Sequence, residues 1–234
     1  MKLLSICIPV YNEEKHIEKC VQKVLDSNRL GLNLEIIISD GNSSDGTKDV
    51  LKKLDHPCVK VFYRDKDDGK GSNILNALSN VSNNSDIVLF QDADLEYSPD
   101  DYEDLIKPII NGYADVVYGT RFTRAKPFHV YSLIHNIANS ILTNFINILF
   151  NRSFTDVLTG YKVFKKKVLD DMYLNSKGYD IETEITAKIS KNKELKIYEV
   201  PIGIYSRRYV EGKKIYWWHT LVLIYSVLKW RFLK

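Results

Sequence analysis

Cysteine is scarce in this chain of 234 residues: Cys7, Cys20 and Cys58 are an odd number with no metal-ligand spacing. A cysteine-ligated metal site is therefore not indicated, and Cys7 and Cys20, in apolar-periodic segments, read as buried free thiols suited to a reducing cytosol. An excess of one charge is missing too. The 33 Lys+Arg stand against 30 Asp+Glu, a net +3, which argues against a protein that coats nucleic acid or another polyanion. Long apolar runs are also lacking. The nearest, Ile215–Leu228, is interrupted by His219 and Thr220 and flanked by basic residues, too short and amphipathic to span a bilayer. Met1–Lys2 lead straight into a strand-like Leu3–Val10, so no signal peptide is read. The expectation is a soluble or peripheral protein, placed in the cytoplasm at the cytoplasmic face of a membrane. No internal repeat or low-complexity linker divides the chain, and its length suits one large α/β domain.

What is present is ordinary globular composition, 44% hydrophobic and 27% charged, enough to bury a sizeable core. Apolar, β-branched runs at Leu3–Val10, Glu35–Ser39, Val59–Tyr63, Ile87–Phe90 and Val116–Tyr118 alternate with helical periodicities. Ile17, Val21, Val24 and Leu25 form one stripe; Ile74, Ala77, Leu78 and Val81 form another. Such alternation predicts a parallel sheet covered on both faces. Ligands of these sheets sit beyond the carboxyl ends of the strands. Polar clusters fall there: Tyr11-Asn12-Glu13-Glu14, Asp40 to Thr47, and Gln91 to Glu96.

The second half contains a long helical stripe, Ile134, Ile137, Ala138, Ile141, Leu142, Phe145, Ile146 and Leu149. Asn136, Asn139, Ser140, Thr143, Asn144 and Asn147 lie opposite. Packing of that stripe on the sheet is the expectation, with a membrane or partner surface as the alternative. A helix near Glu182–Lys191 and a strand at Lys196–Ile204 follow. Charge is concentrated at the end. Residues 201–234 hold Arg207, Arg208, Lys213, Lys214, Lys229, Arg231 and Lys234 against Glu211 alone, a net +6, which leaves −3 on residues 1–200. With Trp217, Trp218 and Trp230 interleaved, this tail suits peripheral contact with an anionic membrane. A solvated basic helix with inward aromatics is the alternative.

Asp92-Ala93-Asp94, directly after a buried strand, is the most telling cluster. Hard divalent cations take one or two carboxylates plus substrate phosphates, and Glu96 offers a third oxygen. Asp40 is followed by a Gly- and Ser-rich turn in which Asp45 or Thr47 caps the next helix, leaving Asp40 itself for a ligand. Gly69-Lys70-Gly71 lacks P-loop spacing, yet a lysine opening a helix between glycines suits a diphosphate.

Together, Ile8 to Glu14, Ser39 to Thr47, Gln91 to Asp94, Gly69-Lys70-Gly71 and Gly119-Thr120-Arg121 resemble family-2 glycosyltransferases of GT-A fold. Thr155 to Phe164, Ile181 to Lys188, Glu199-Val200-Pro201-Ile202 and Tyr205 to Arg208 running into Glu211 to Ile215 resemble the dolichyl-phosphate mannosyltransferase-like branch. The resemblance spans roughly residues 3 to 232. It implies an α/β, Rossmann-like, mostly parallel sheet flanked by helices, with a C-terminal amphipathic helical appendage. It divides the chain into a catalytic domain, 1–210, and a basic, Trp-rich helix, 211–234. Pro9, Tyr11, Glu13 and Asp40 match positions holding the nucleotide, with Lys70 and Asp92. Asp92 and Asp94 match Mg²⁺ or Mn²⁺ ligands, Glu96 less closely, since the branch often has Gln there. Lys70, Arg121 and Arg207 match cations near the diphosphate or acceptor phosphate, and Asp156 an acid near the acceptor. The implied reaction inverts the sugar's anomeric centre. It moves a hexose from GDP-mannose or a UDP-hexose to dolichyl or undecaprenyl phosphate; a glycan hydroxyl is the alternative acceptor. With a hydroxyl acceptor Asp156 is the candidate base, and otherwise it is a capping or arginine-pairing acid. Glu182 and Glu184 rank lower as site residues, since they read equally well as helix-start acids favoured by the dipole.

Overall fold

A computed structural model describes residues 2–123, 125–126, 130, 133–205 and 219–233. In chain order the elements are β1 (Leu3–Val10), α1 (Ile17–Asp26), β2 (Asn33–Asp40), α2 (Thr47–Leu51), β3 (Val59–Tyr63), α3 (Lys70–Ser79), β4 (Ile87–Phe90) and α4 (Tyr102–Ile110). They continue with β5 (Val116–Thr120), α5 (Leu133–Phe150), β6 (Lys162–Lys165), α6 (Lys166–Asp170), α7 (Ile181–Lys191), β7 (Ile197–Pro201) and α8 (His219–Phe232). Among the described residues the strands form one sheet of order β3-β2-β1-β4-β6-β5-β7. β1, β2, β3 and β4 pair in parallel, as do β5 and β7, while β6 runs antiparallel between β4 and β5. The five expected N-terminal strands and the α/β, mostly parallel architecture are all present.

Strand periodicity divides the core. Leu4, Ile6, Ile8 and Val10 of β1 face α1 and α4 through Val21, Leu105 and Ile109. Cys7 faces the other side with Ile37, Val88 and Phe90, covered by Ile74 of α3, Leu142 and Ile146 of α5, Ile185 of α7 and Val227 of α8. Both Cys7 and Cys20 are buried, and burial raises the pKa of each thiol, so neither is a ready nucleophile. The C-terminal helix packs chiefly on α7 and also on α5, burying Leu223, Val227 and Trp230.

The orientation of α5 departs from the sequence expectation. Leu142 and Ile146 are buried as foreseen, but so are Asn139 and Thr143, whereas Ile134, Ile137 and Ile141 are exposed. The buried arc is rotated by roughly a quarter turn from the centre of the apolar stripe. The reason is that α5 is covered on one flank only, where it packs on α7 and α8, while Ile134, Ile137 and Ile141 on its outer flank stay exposed.

At the amino end of the sheet, Glu35 is buried on β2 and accepts from Ser5 Oγ (2.5 Å), Ser82 N (3.0 Å), Ser82 Oγ (2.6 Å) and Lys60 Nζ (3.1 Å). Burial alone would raise its pKa; the bonds from Ser5, Ser82 and Lys60 outweigh burial and hold it below the usual glutamate value. A depressed folded-state pKa contributes stability that is present above the unfolded value, near 4.5, and lost as pH falls through the folded one. Glu35→Gln is therefore expected to cost about 1–3 kcal/mol in urea unfolding at pH 7. The variant should also lose less stability than the parent as pH falls below the unfolded value and through the folded one.

Candidate active site

The carboxyl ends of β1, β2, β4 and β5 meet the amino end of the antiparallel β6, and the polar loops gather there. The loops after β1 and β2 are stitched together. Asn12 N donates to Ser43 Oγ (2.9 Å), Ser44 N to Asn12 Oδ1 (2.8 Å) and Glu13 N to Thr47 Oγ1 (2.9 Å). Asn12 and Asn42 both take positive φ (54° and 63°), a conformation asparagine tolerates in tight turns. Pro9 and Tyr11 are half-buried, and Glu13 is buried with Oε2 2.9 Å from His16 Nδ1. Asp40 departs from its expected availability. Its fully buried carboxylate accepts from Ser43 Oγ (2.6 Å) and Ser43 N (3.2 Å to Oδ2), so it closes the turn itself. Asp45 takes the helix-start role, accepting from Thr47 N at 2.9 Å.

A line of alternating charges crosses the centre of the site. Lys70, the first residue of α3, places Nζ 2.8 Å from Asp92 Oδ1 and 3.1 Å from Glu182 Oε1. Glu182 Oε2 pairs with Lys162 Nζ, which also donates to Thr159 O. Lys162 has no exposed surface and Glu182 little. Burial would lower the Lys70 pKa, but the charges of Asp92 and Glu182 reverse this and hold it well above the usual lysine range. Burial raises and the two lysines lower the Glu182 carboxyl, for a net decrease, whereas burial dominates at Lys162 and lowers its pKa.

Backbone geometry fixes this line. Gly69 has φ +99°, and Gly71 packs so closely on the Ser176–Gly178 backbone that a side chain there would collide. Glu184, a fully buried acid on α7, holds that loop by accepting from Asn175 N (3.1 Å) and Ser176 N (2.7 Å). Gly71 N and Ser72 N then bond to Gly178 O and Lys177 O. On the other flank Gln91 Oε1 accepts from Tyr102 and Tyr161 hydroxyls, each 2.7 Å away, and its Nε2 donates to Asp92 O at 2.8 Å. Gly160 leaves no room for even a methyl group beside Asp92 Oδ2.

A second cation stands at the end of β5. Arg121 grips Asp156 with two bonds, Nε to Oδ2 at 2.6 Å and Nη2 to Oδ1 at 2.7 Å, and Asp156 is fully buried. Glu199 of β7 holds the Asp156 segment by accepting from Thr155 N (2.9 Å) and Asp156 N (3.2 Å). Burial, with the nearby Asp156 charge, raises the Glu199 pKa despite those bonds. Arg207 lies outside the described residues, as does Arg208.

Asp94 Oδ1 accepts from Glu96 N at 3.0 Å, and Asp92, Asp94 and Glu96 are all half-buried. Among the described residues no three His, Cys, Asp or Glu side chains form a metal-holding cluster, so the three carboxylates do not converge with Glu96 as a third ligand. The all-carboxylate donor set of Asp92 and Asp94 still fits a hard cation that completes its shell with phosphate and water. Lys70, Asp92 and Arg121 are thus at the strand ends as expected. Glu182 ranks in the sequence below the other candidates because a helix-start acid explains it equally well, and Lys162 and Gln91 carry no assigned role there. Lys162 had one legible signal, a charge directly before the apolar pair Val163-Phe164.

A family profile described as "Glycosyl transferase family 2" matches residues 5–173. A dolichol-phosphate mannosyltransferase of Pyrococcus furiosus is 30% identical over 97% of this chain, which spans 64% of that protein's length. The UDP-N-acetylglucosamine–dolichyl-phosphate N-acetylglucosaminyltransferase of Methanococcus voltae is 31% identical, covering 86% of this chain and 85% of its own. In three dimensions, glucosyl-3-phosphoglycerate synthase of Mycobacterium tuberculosis, crystallised with Mn²⁺, UDP and phosphoglyceric acid, superposes with a TM-score of 0.72 at 20% identity. That match covers all of this chain and 80% of the other, and it shows a shared fold.

Removing one member of the buried charge line leaves its partner unpaired. Lys162→Met is expected to cost about 3–5 kcal/mol in denaturant unfolding. The double variant Lys162→Met/Glu182→Gln should lose clearly less than the two single losses combined. Additive losses would show that the pair is not energetically coupled.

Proposed function

Because the chain belongs to glycosyl transferase family 2, we propose that it transfers a hexose from a nucleoside-diphosphate sugar to a polyprenyl phosphate, with inversion at the anomeric carbon. The donor is GDP-mannose or a UDP-hexose, the acceptor lipid dolichyl or undecaprenyl phosphate, and residues 1–210 form the catalytic domain. The two dolichyl-phosphate-dependent relatives support this choice of acceptor. The observation that carries it is the state of Asp156. A sugar-hydroxyl acceptor must lose a proton to a nearby base, but Asp156 is sealed from solvent with both oxygens on Arg121. It acts here as the anchor of a guanidinium. A phosphate acceptor is already ionised at neutral pH and asks instead for a cation of matched geometry, which arginine supplies.

In this mechanism the loops after β1 and β2 hold the nucleoside through Pro9, Tyr11, Glu13 and the turn that Asp40 closes. Bound at Asp92 and Asp94, Mg²⁺ or Mn²⁺ would neutralise charge developing on the leaving diphosphate. Lys70 stands beside Asp92 at the amino terminus of α3, where the helix dipole also favours phosphate. Arg121, with Arg207 from the segment outside the described residues, orients the acceptor phosphate in line with the anomeric carbon. Because nucleophile and leaving group are both phosphates, the chain's task is positioning and charge compensation, with no proton to move.

Radiolabelled donors offered with polyprenyl phosphate and with glycan acceptors test the proposal. Label is expected in the lipid phosphate; label only in glycan would overturn it in favour of a hydroxyl acceptor. Asp92→Asn and Arg121→Ala should each lower transfer by about 10²–10³-fold. Asp92→Asn should also abolish the Mn²⁺-dependent rise in unfolding temperature produced by UDP or GDP, whereas Arg121→Ala should leave that rise in place.

A further inference from the structure

Lys70 is held by two acids at once. Its Nζ lies 2.8 Å from Asp92 Oδ1 and 3.1 Å from Glu182 Oε1, and the Lys70 and Asp92 side chains are 20% and 22% exposed. The two acids differ in their freedom. Glu182 is 8% exposed and its second oxygen is on the fully buried Lys162, so it is fixed in place. Asp92 is one of the two carboxylates that fit a hard cation. Its Oδ2 packs on Gly160, where a Cβ would stand only 2.4 Å away. Oδ1 is therefore its more open oxygen, and Lys70 sits on it. A divalent cation on Asp92 would share this carboxylate with the ammonium, and like charges so close repel strongly. The Lys70 backbone cannot move away. Gly69 has φ +99°, and Gly71 packs on the Ser176–Gly178 backbone. Any exchange is thus confined to the flexible four-carbon stem of the side chain. An ammonium has three N–H donors, so Lys70 can keep Glu182 while it changes its other partner.

We propose that Lys70 is a displaceable counter-cation. It neutralises Asp92 until a divalent cation takes that carboxylate. Lys70 then gives up Asp92, stays on Glu182 and turns its released donors to the diphosphate. Glu182 is a positioning residue in this exchange: it keeps Lys70 beside the site once Asp92 is taken, and Lys162 fixes Glu182. The arrangement favours metal and diphosphate arriving together. Metal alone breaks an ion pair that nothing replaces, and diphosphate alone meets a lysine already engaged with Asp92. When both bind, each supplies the contact that the other removes. The exchange rests on the proposed role of Asp92 as a metal ligand and on no choice of sugar or acceptor.

Mn²⁺ binding to the full chain, followed by electron paramagnetic resonance without donor or acceptor, tests the exchange apart from transfer. Lys70→Met removes the competing cation. Its Mn²⁺ dissociation constant should fall ~10-fold below the parent's. Its affinity for UDP or GDP at saturating Mn²⁺ should instead drop ~10-fold or more in calorimetry. These opposite signs separate the exchange from a lysine that only supports the fold or only touches phosphate. Glu182 is tested through Lys162→Met/Glu182→Gln, which removes one charge of each sign and leaves no buried lysine unpaired. With Glu182 gone, Lys70 rests on Asp92 alone, and Mn²⁺ affinity should fall ~10-fold. Adding Lys70→Met to that double variant should restore the affinity of Lys70→Met, since Glu182 acts on the metal by way of Lys70. Lys70→Met decides the sign by itself where the buried pair does not tolerate replacement. Mn²⁺ affinity that is unchanged or lowered in Lys70→Met would overturn the exchange, as would a loss in the double variant that persists without Lys70. Parental Mn²⁺ binding by Asp92→Asn would overturn the metal role of Asp92 itself, and the exchange with it.

Discussion

Four charged side chains in a row, Asp92, Lys70, Glu182 and Lys162, are the constraint on which the site depends. Taking charges out of water costs several kcal/mol each unless opposite charges and hydrogen bonds surround them, and Lys162 has no exposed surface at all. Strict alternation of sign is what makes the row tolerable, and each member comes from a different element. Asp92 follows β4, Lys70 opens α3, Glu182 lies in the first turn of α7 and Lys162 starts β6. Satisfying the row therefore fixes three elements and one loop relative to one another. Those elements are the ones that define the mouth of the sheet. The amino ends of α3 and α7 are drawn to the same place, so their dipoles add positive potential where the carboxylates crowd.

The antiparallel strand β6 is how Lys162 arrives there. Entered from the active-site end, it places Tyr161 against Gln91 and Lys162 against Glu182 before it pairs with β4 and β5. This element was hard to see in the sequence. It is four residues long with lysine at each end, so neither a long apolar run nor alternation over several residues announces it. The five N-terminal parallel strands, near-continuous apolar runs, were legible to within two residues at each end, whereas β7 ends at Pro201, three residues before the expected Ile204. The loop carboxylates and Lys70 were legible as well, because a polar cluster directly after an apolar strand is a local pattern. The partnerships were not. Glu182 carries the same local signal as any helix-start acid, and only the fold brings it within 3.1 Å of Lys70, 112 positions earlier in the chain. Asp40 is the converse case: its neighbour Ser43 takes up its carboxylate, an arrangement that its turn sequence permits but does not compel.

Helix α5 shows where periodicity fails for a different reason. Its apolar stripe is wide enough to cover either the inner flank or part of the outer one, and polar spacing alone cannot choose the rotation. Neighbours choose it. Leu142 and Ile146 meet the sheet side, and Val227 of α8 joins the same cluster. Cations at the carboxyl ends lock this arrangement, since Arg152 Nη2 donates to Asn192 O at 2.7 Å beyond α7 and Lys193 caps Phe150 O at the end of α5. Lys191 donates in turn to Leu233 O beyond α8 at 2.7 Å. Three helix ends thus converge on basic side chains, which offsets their negative dipole ends. Part of the basic character of this region is explained by that local requirement, leaving Lys229 and Arg231 on the outer face.

On the proposed function, a site so full of internal ion pairs must still receive a diphosphate. Of the groups gathered at the strand ends, Asp92, Asp94, Asp156 and Glu182 are acids and Lys70, Lys162 and Arg121 are cations. Lys162 is committed to Glu182 and Arg121 is bidentate on Asp156. The named groups therefore carry no standing excess of positive charge, and a nucleoside diphosphate arriving alone would meet Asp92 and Asp94 as repulsion. On the proposed function, the same carboxylates become the means of recruitment, because hard divalent cations prefer one or two such oxygens and take the rest of their shell from phosphate. Donor affinity and cation affinity must then rise together, since each supplies the other's missing counter-charge. On that reading, acidic residues at the centre of a site that binds a diphosphate are a requirement of its chemistry, and the net −3 of residues 1–200 is compatible with binding a polyanionic substrate.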